Sequence, residues 1–327
     1  MVRNEMIRGR QGRLGGFALV GLLVVVSATV CLSGASALPN EHRCPADDDH
    51  KIDMARKLRE ENNPSFAIIC YEEALEHGST TSDALLGIAE ILFELGNYSG
   101  AEARLHDLLN AEPKNAAANF LKGNIHRVRH HTSIHAAGKA VGEIEMVGEV
   151  VHYYKKALEL NPTDDIIYAA LGSYYMSVGD FDLSVLTYQE GLEKVEDSAH
   201  LLLGMAETYK YKEEYETCLN FCQRAITTNF KLAGAYGILG ECALFANQSR
   251  RSVHALQKAC QIDPHNPHYL HLRITAMRSA TEMDPNDILS VMSSIELDKH
   301  HDPHLLREFH DLRKQISHEL NSGKGEL

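Results

Sequence analysis

The chain has 327 residues, 44% of them hydrophobic, with 45 acidic against 32 basic side chains and a formal net charge of −13. That content suffices for a sizeable buried core. The acidic balance repels nucleic acid and anionic lipid headgroups, so neither is an expected partner.

In chain order, the first element is a leader. Arg3, Arg8, Arg10 and Arg13 precede an apolar run that is densest over Phe17–Val26, and Ala35-Ser36-Ala37 follows, ahead of Leu38. Basic region, apolar region and small-x-small cleavage pattern stand in the order of a signal peptide over residues 1–37. The stretch from Leu14 to Leu32 is also long enough to span a bilayer, so an uncleaved signal-anchor stays open. Either reading places the remainder on the non-cytoplasmic side, because the arginines stay behind. Residues 38–47 form a polar linker.

From residue 48 a period takes over. Small residues recur at Ala55, Ala89, Gly123, Gly172, Ala206 and Gly240, in steps of 34, 34, 49, 34 and 34. A second series, 19 residues on in most units, runs through Ala74, Leu108, Ala157, Gly191, Ala225 and Ala259. A fixed period of 34 is that of a stacked helix–turn–helix unit, and missing side chains at these rungs let paired helices approach closely. Residues 48–266 hold six such units. In the third, Gly123 and its partner Ala157 stand 34 apart instead of 19, so 15 residues are inserted, within about 130–146. Such insertions map to loops on one face or simply extend a helix, and both remain open here.

The unit Asp165–Ser198, with Leu171-Gly172, Tyr175, Gly179-Asp180-Phe181, Tyr188 and Gly191, resembles the tetratricopeptide repeat (TPR) family. So does Ser82–Asn115, with Leu85, Ala89, Leu92, Gly96, Tyr98, Ala101, Leu105 and a closing Pro113. Glu196 and Phe230 replace that proline in two other units. The resemblance implies an all-α TPR solenoid, a right-handed superhelix of antiparallel helix pairs with about six to seven repeats. It also implies that first helices line a concave groove. The groove residues it selects are Phe93, Phe120, Asn124, Arg127, Ser173, Met176, Glu207, Tyr211, Glu241 and Leu244, together with Arg59, Glu90 and Phe245. The Lys/Asn/Arg clamp with which some family members grip acidic chaperone tails would use Ile52, Arg56, Phe120 and Asn124. Only Asn124 matches, so that clamp is not expected. No His-Pro-Asp tripeptide marks a J domain either.

The insert carries His126, His130, His131 and His135, two pairs at i, i+4 spacing. On a helix each pair shares a face, as a zinc site requires, but no neighbouring acid or thiol in the sequence completes a ligand set. The expectation is a solvated basic patch with Arg127 and Arg129, and no metal or cofactor. Beyond Pro267 the ladder fails at Ile274. Helical segments over 268–281, 286–297 and 303–321 suggest a degenerate repeat and a cap across residues 267–321, with Arg307, Glu308, Asp311, Arg313, Lys314 and Glu319 facing outward. The tail 322–327 ends Lys324-Gly325-Glu326-Leu327, which resembles the endoplasmic reticulum return address except at Gly325.

Two glycosylation sequons, at Asn97 and Asn247, fall on turns between paired helices. Six cysteines follow the leader. Cys218 and Cys222 sit one helical turn apart at core positions and read as buried free thiols, while whether Cys44 in the linker pairs with another cysteine stays open.

No nucleophile elbow, phosphate-binding Gly-Lys-Ser/Thr loop or Cys-x-x-Cys pair occurs, so no enzyme is expected. The reading is a non-enzymatic scaffold or adaptor in the secretory lumen, most simply the endoplasmic reticulum, which binds polypeptide partners in a co-chaperone-like manner. The alternative is a single-pass anchored subunit of a membrane or envelope assembly complex.

Overall fold

A computed structural model describes residues 44–45, 47–76, 81–137, 143–280, 284–293 and 303–322. The leader, nearly all of the linker, the C-terminal address and the side chain of His135 lie outside these. The described residues form helices joined by short turns. They pair as α1 (Asp48–Glu60) with α2 (Pro64–Leu75), α3 (Thr81–Glu94) with α4 (Tyr98–Ala111), and α5 (Ala116–Ala137) with α6 (Glu143–Leu160). The series continues as α7 (Asp165–Ser177) with α8 (Phe181–Lys194), α9 (Ala199–Tyr211) with α10 (Tyr215–Thr228), and α11 (Ala233–Phe245) with α12 (Ser249–Ile262). Three helices close the array: α13 (Pro267–Ser279), α14 (Pro285–Ser293) and α15 (Pro303–Ser322). The fold is an all-α repeat solenoid.

Local chemistry starts and stops each helix. The carboxylates or amides of Asp164, Asp180, Asn97 and Asn266 accept first-turn backbone N–H groups at 3.0–3.1 Å. Between paired helices one residue per turn takes a left-handed conformation: Asn62, Gly96, Gly179, Glu213 and Asn247, all with φ between 58° and 86°. Asparagine and glycine enter that region at little cost, whereas Glu213, at φ 61°, does so against its Cβ.

Close packing explains the small rungs. A Cβ on Gly123 would lie 2.7 Å from the Tyr154 ring, one on Gly172 2.6 Å from Tyr188, and one on Gly240 2.4 Å from Leu256. Ala55, Ala89 and Ala206 are wholly buried. A second set of contacts lies beyond the ladder. Gly87 faces the Tyr71 ring of the preceding unit, and Gly204 faces Tyr188, whose ring therefore sits between glycines of its own unit and the next.

The insert lengthens a helical hairpin. Helix α5 has 22 residues and α6 has 18, against 13 or 14 in α3, α7, α9 and α11. The added turns are not free of the array: His130, where α5 outgrows the other first helices, is buried with its Nδ1 2.9 Å from the Tyr174 hydroxyl of α7. Among the described residues the insert thus buttresses the next repeat. At the far end Ile274, in place of a small rung, is buried in the seventh unit. Helix α15 buries Phe309, Leu312 and Ile316 and turns Arg307, Asp311, Arg313, Lys314 and Glu319 to solvent.

The cysteines correct one expectation. Cys218 is not free; it is disulfide-bonded to Cys242 across the junction of α10 and α11. Spacing along one helix weighs only the neighbour on that helix, and the partner comes from the next unit. Cys222 is a buried free thiol, and burial pushes it up to about 12. Cys44 is bonded to Cys70, tying the segment that precedes α1 to α2.

Candidate functional site

Successive first helices touch one another from α1 through α3 to α5 and from α7 through α9 and α11 to α13, while each second helix contacts mainly its own partner and the next first helix. The side on which neighbouring units approach most closely is the inner side of a curved stack, so first helices line it. Along α7, Ile166, Ala169, Ser173 and Met176 share one face by helical spacing.

The N-terminal stretch of this face is charged but internally neutralised. Arg59 of α1 reaches Glu94 of α3 (Nη2 to Oε1, 2.6 Å) and also pairs with Glu90. These contacts raise the guanidinium's pKa further, chiefly through Glu94. Arg56 lies 3.7 Å from Asp83. Phe93 is half-buried, its ring 5.6 Å from that of Tyr98.

The centre is more apolar. Phe120 is half-buried beside Tyr154, with ring centroids 5.7 Å apart. Asn124 is engaged, its Oδ1 accepting from the Tyr154 hydroxyl at 2.7 Å. The hydroxyl of Ser173 turns back to the carbonyl of Ala170 at 3.0 Å, and the Met176 sulfur accepts from Thr208 at 3.8 Å. Arg127, Met176 and Glu207 are half-exposed. Two residues here escaped the sequence-based selection: Ile166, 60% exposed in the first turn of α7, and half-buried Leu203 on α9. Both stand on the same helix face as the selected residues, and that spacing is legible in the sequence.

Toward the C-terminal end of the array, Glu241 and Leu244 leave the surface. Glu241 is buried because Lys210 of the preceding unit pairs with it at 2.9 Å, and Leu244 is buried as well. Registry alone places both on the lining and takes no account of what the neighbouring helix lays over them. Tyr211 remains 41% exposed and stacks on Phe181 (6.2 Å), while Phe245 stacks on Tyr215 (5.2 Å). What results is an apolar strip of Phe120, Ile166, Met176, Leu203 and Tyr211, bounded by ion pairs. Chemically it offers contact area and little reactive chemistry.

The histidines also depart from expectation. His130 is buried and its Nδ1 lies 2.9 Å from the Tyr174 hydroxyl. His126 stacks on Tyr153 at 5.0 Å, with Nδ1 2.9 Å from Glu149 and Nε2 4.0 Å from Glu102. Arg129 holds the same Glu102 at 2.6 Å. The solvated basic patch is therefore a packed cluster balanced by two carboxylates, which come from α4 and α6 and are distant in sequence. Among the described residues no three His, Cys, Asp or Glu side chains are placed to hold a metal ion. Likewise, no described helix is long and apolar enough to cross a membrane. Asn97 and Asn247 are both exposed on turns.

A family model for the tetratricopeptide repeat matches residues 58–125. The chain is 23% identical over 233 residues to tetratricopeptide repeat protein 21B of Homo sapiens, a match covering 68% of this chain and 17% of that protein. It is 30% identical over 93 residues to tetratricopeptide repeat protein 12 of Homo sapiens, covering 28% of this chain and 13% of that one. The chain thus spans less than a fifth of the length of either relative. Among solved structures, a tetratricopeptide repeat protein from Parabacteroides merdae ATCC 43184 superposes with a TM-score of 0.53 at 13% identity, covering 83% of this chain and 98% of that one. That likeness shows the fold.

Proposed function

We propose, from the premise that this chain belongs to the tetratricopeptide repeat family, that it is a non-enzymatic scaffold whose inner face holds a polypeptide segment. The observation that carries this reading is the half-exposed apolar strip of Phe120, Ile166, Met176, Leu203 and Tyr211, with Arg127 and Glu207 half-exposed beside it and the Arg59–Glu94 and Lys210–Glu241 charges paired within the protein. Such a face gains from covering an extended or helical apolar segment. The family it matches is one of protein-binding scaffolds, which supports the non-catalytic reading.

Its proposed place is the secretory lumen, with a co-chaperone-like role. Two disulfides and two exposed sequons support an oxidising, glycosylating compartment, in agreement with the leader. An uncleaved leader would instead make the same scaffold an anchored subunit, a variant kept open by the apolar stretch from Leu14 to Leu32.

Crosslinked capture of partners from intact cells, with the wild type beside Ile166→Asp and Met176→Glu, tests the function. Loss of the captured polypeptide in both variants is expected, and full retention overturns the groove. N-terminal sequencing of the mature protein, with a high-mannose-specific glycosidase applied to its glycans, tests the location. An intact leader removes the soluble form, and unmodified Asn97 and Asn247 in a eukaryotic product remove the lumen.

A further inference from the structure

We propose, resting on the groove reading above, that the polypeptide segment held on the inner face carries an acidic group at one end and a basic group at the other. Two charges set that requirement. Arg127 on α5 and Glu207 on α9 both stand half-exposed beside the apolar strip. By helical spacing Arg127 shares a face with Phe120 and Asn124, and Glu207 shares one with Leu203 and Tyr211. Other charges on this side are already matched: Arg59 with Glu94, Arg56 with Asp83 at 3.7 Å, and Lys210 with Glu241 at 2.9 Å. Among the described residues no acidic group forms an ion pair with Arg127 and no basic group forms one with Glu207. Arg127 also leaves its Nε without a hydrogen bond.

Helix α7 lies between the two charges. Its Tyr174 hydroxyl is 2.9 Å from His130 Nδ1 of α5, and α7 also packs against α9. Packed helix axes stand about 9 Å apart, so two such steps from α5 to α9 span about 18 Å. An extended chain covers that distance in about six residues, at about 3.3 Å each. Ile166 and Met176 of α7 supply apolar contact between the charged ends. A carboxylate beside Arg127 and an ammonium or guanidinium beside Glu207 each meet an opposite charge. A segment with the same charge at both ends meets a like charge at one of them, which disfavours it. The strip thus supplies contact area, and the two charges select among apolar segments.

Three fluorescent synthetic peptides, titrated with the full-length protein at low salt and followed by anisotropy, test this selection. Each holds five apolar residues between two flanking residues: Asp and Lys, Asp and Asp, or Lys and Lys. The wild type is expected to bind the mixed peptide about fivefold tighter than either like-charged one, as half-exposed ion pairs allow. Arg127→Glu should move the preference to the peptide with two lysines, and Glu207→Lys to the peptide with two aspartates. Added salt should narrow all of these differences. Equal binding of the three peptides by the wild type, or a preference that neither substitution moves, overturns the charge selection and leaves the groove standing. Failure of all three peptides to bind overturns the groove together with it.

Discussion

Replacing Gly204 by alanine sets two opposing effects against each other. In the middle of α9 an alanine gains about 1 kcal/mol of helix propensity over glycine. Its Cβ, however, would stand 2.3 Å from Cζ, 2.4 Å from Cε1 and 2.5 Å from the hydroxyl oxygen of Tyr188. The Tyr188 ring is 2% exposed, and retreat leads toward Gly172, where a Cβ would be 2.6 Å from the same ring. Overpacking of a closed core costs about 1–3 kcal/mol, and with both sides blocked the upper end of that range applies. A net loss of about 1–2 kcal/mol follows from setting the propensity gain against that cost. Gly148 in α6 is the control, since a Cβ there meets nothing within 4 Å and Gly148→Ala should gain up to about 1 kcal/mol. Urea unfolding followed by circular dichroism, with equal slopes across the variants, reads both changes. The double substitution Gly172→Ala with Gly204→Ala should cost more than the sum, because each single variant lets the ring lean the other way. If Gly204→Ala stabilises the protein as Gly148→Ala does, close approach is not the reason for glycine, and the packing account falls.

Glu213→Gly should stabilise the fold by about 0.5–1 kcal/mol, since it relieves a left-handed residue at a turn where Gly96 and Gly179 occupy the matching positions. A loss in denaturant midpoint would show that Glu213 is held by something other than strain. Cys44→Ser should cost about 3 kcal/mol, because the Cys44–Cys70 bond closes a loop with a sequence separation of 26. An unchanged midpoint under oxidising conditions would mean that the bond does not form. Burial raises the phenol pKa of Tyr71, Tyr154 and Tyr188 above that of an unfolded tyrosine. Stability from these groups is complete below about pH 10 and declines as pH rises from there toward the folded values, because the unfolded chain ionises first. The part of the tyrosinate absorbance that belongs to these three should therefore rise together with the loss of helicity, and complete ionisation of all 13 tyrosines in a still-helical protein would refute it.

The period made the architecture legible because each rung repeats a contact within one hairpin, and such contacts keep the same sequence spacing. Ala55, Ala89 and Ala206 can be assigned to buried positions on register alone. Contacts between units are harder to see. The Gly204–Tyr188 and Gly87–Tyr71 pairs share a separation of 16, a signal present in the sequence but invisible without knowing which helix follows which around the stack. The burial of Glu241 depends on Lys210 extending from the neighbouring first helix, and the Cys218–Cys242 bond likewise crosses between units. The histidine cluster escapes a sequence reading for the same reason, since Glu102 and Glu149 reach His126 from helices on either side. Side-chain registry on one helix is read easily from spacing. The cover laid over it by the next helix is set by the geometry of stacking.

The most direct measurement of the central claim places a photo-crosslinking residue at Met176, on the inner face of α7, or at exposed Gln189 on α8, in the protein's own compartment. The account predicts covalent capture of a polypeptide from position 176 and none above background from 189. Equal capture from both positions, or capture from 189 alone, would contradict it.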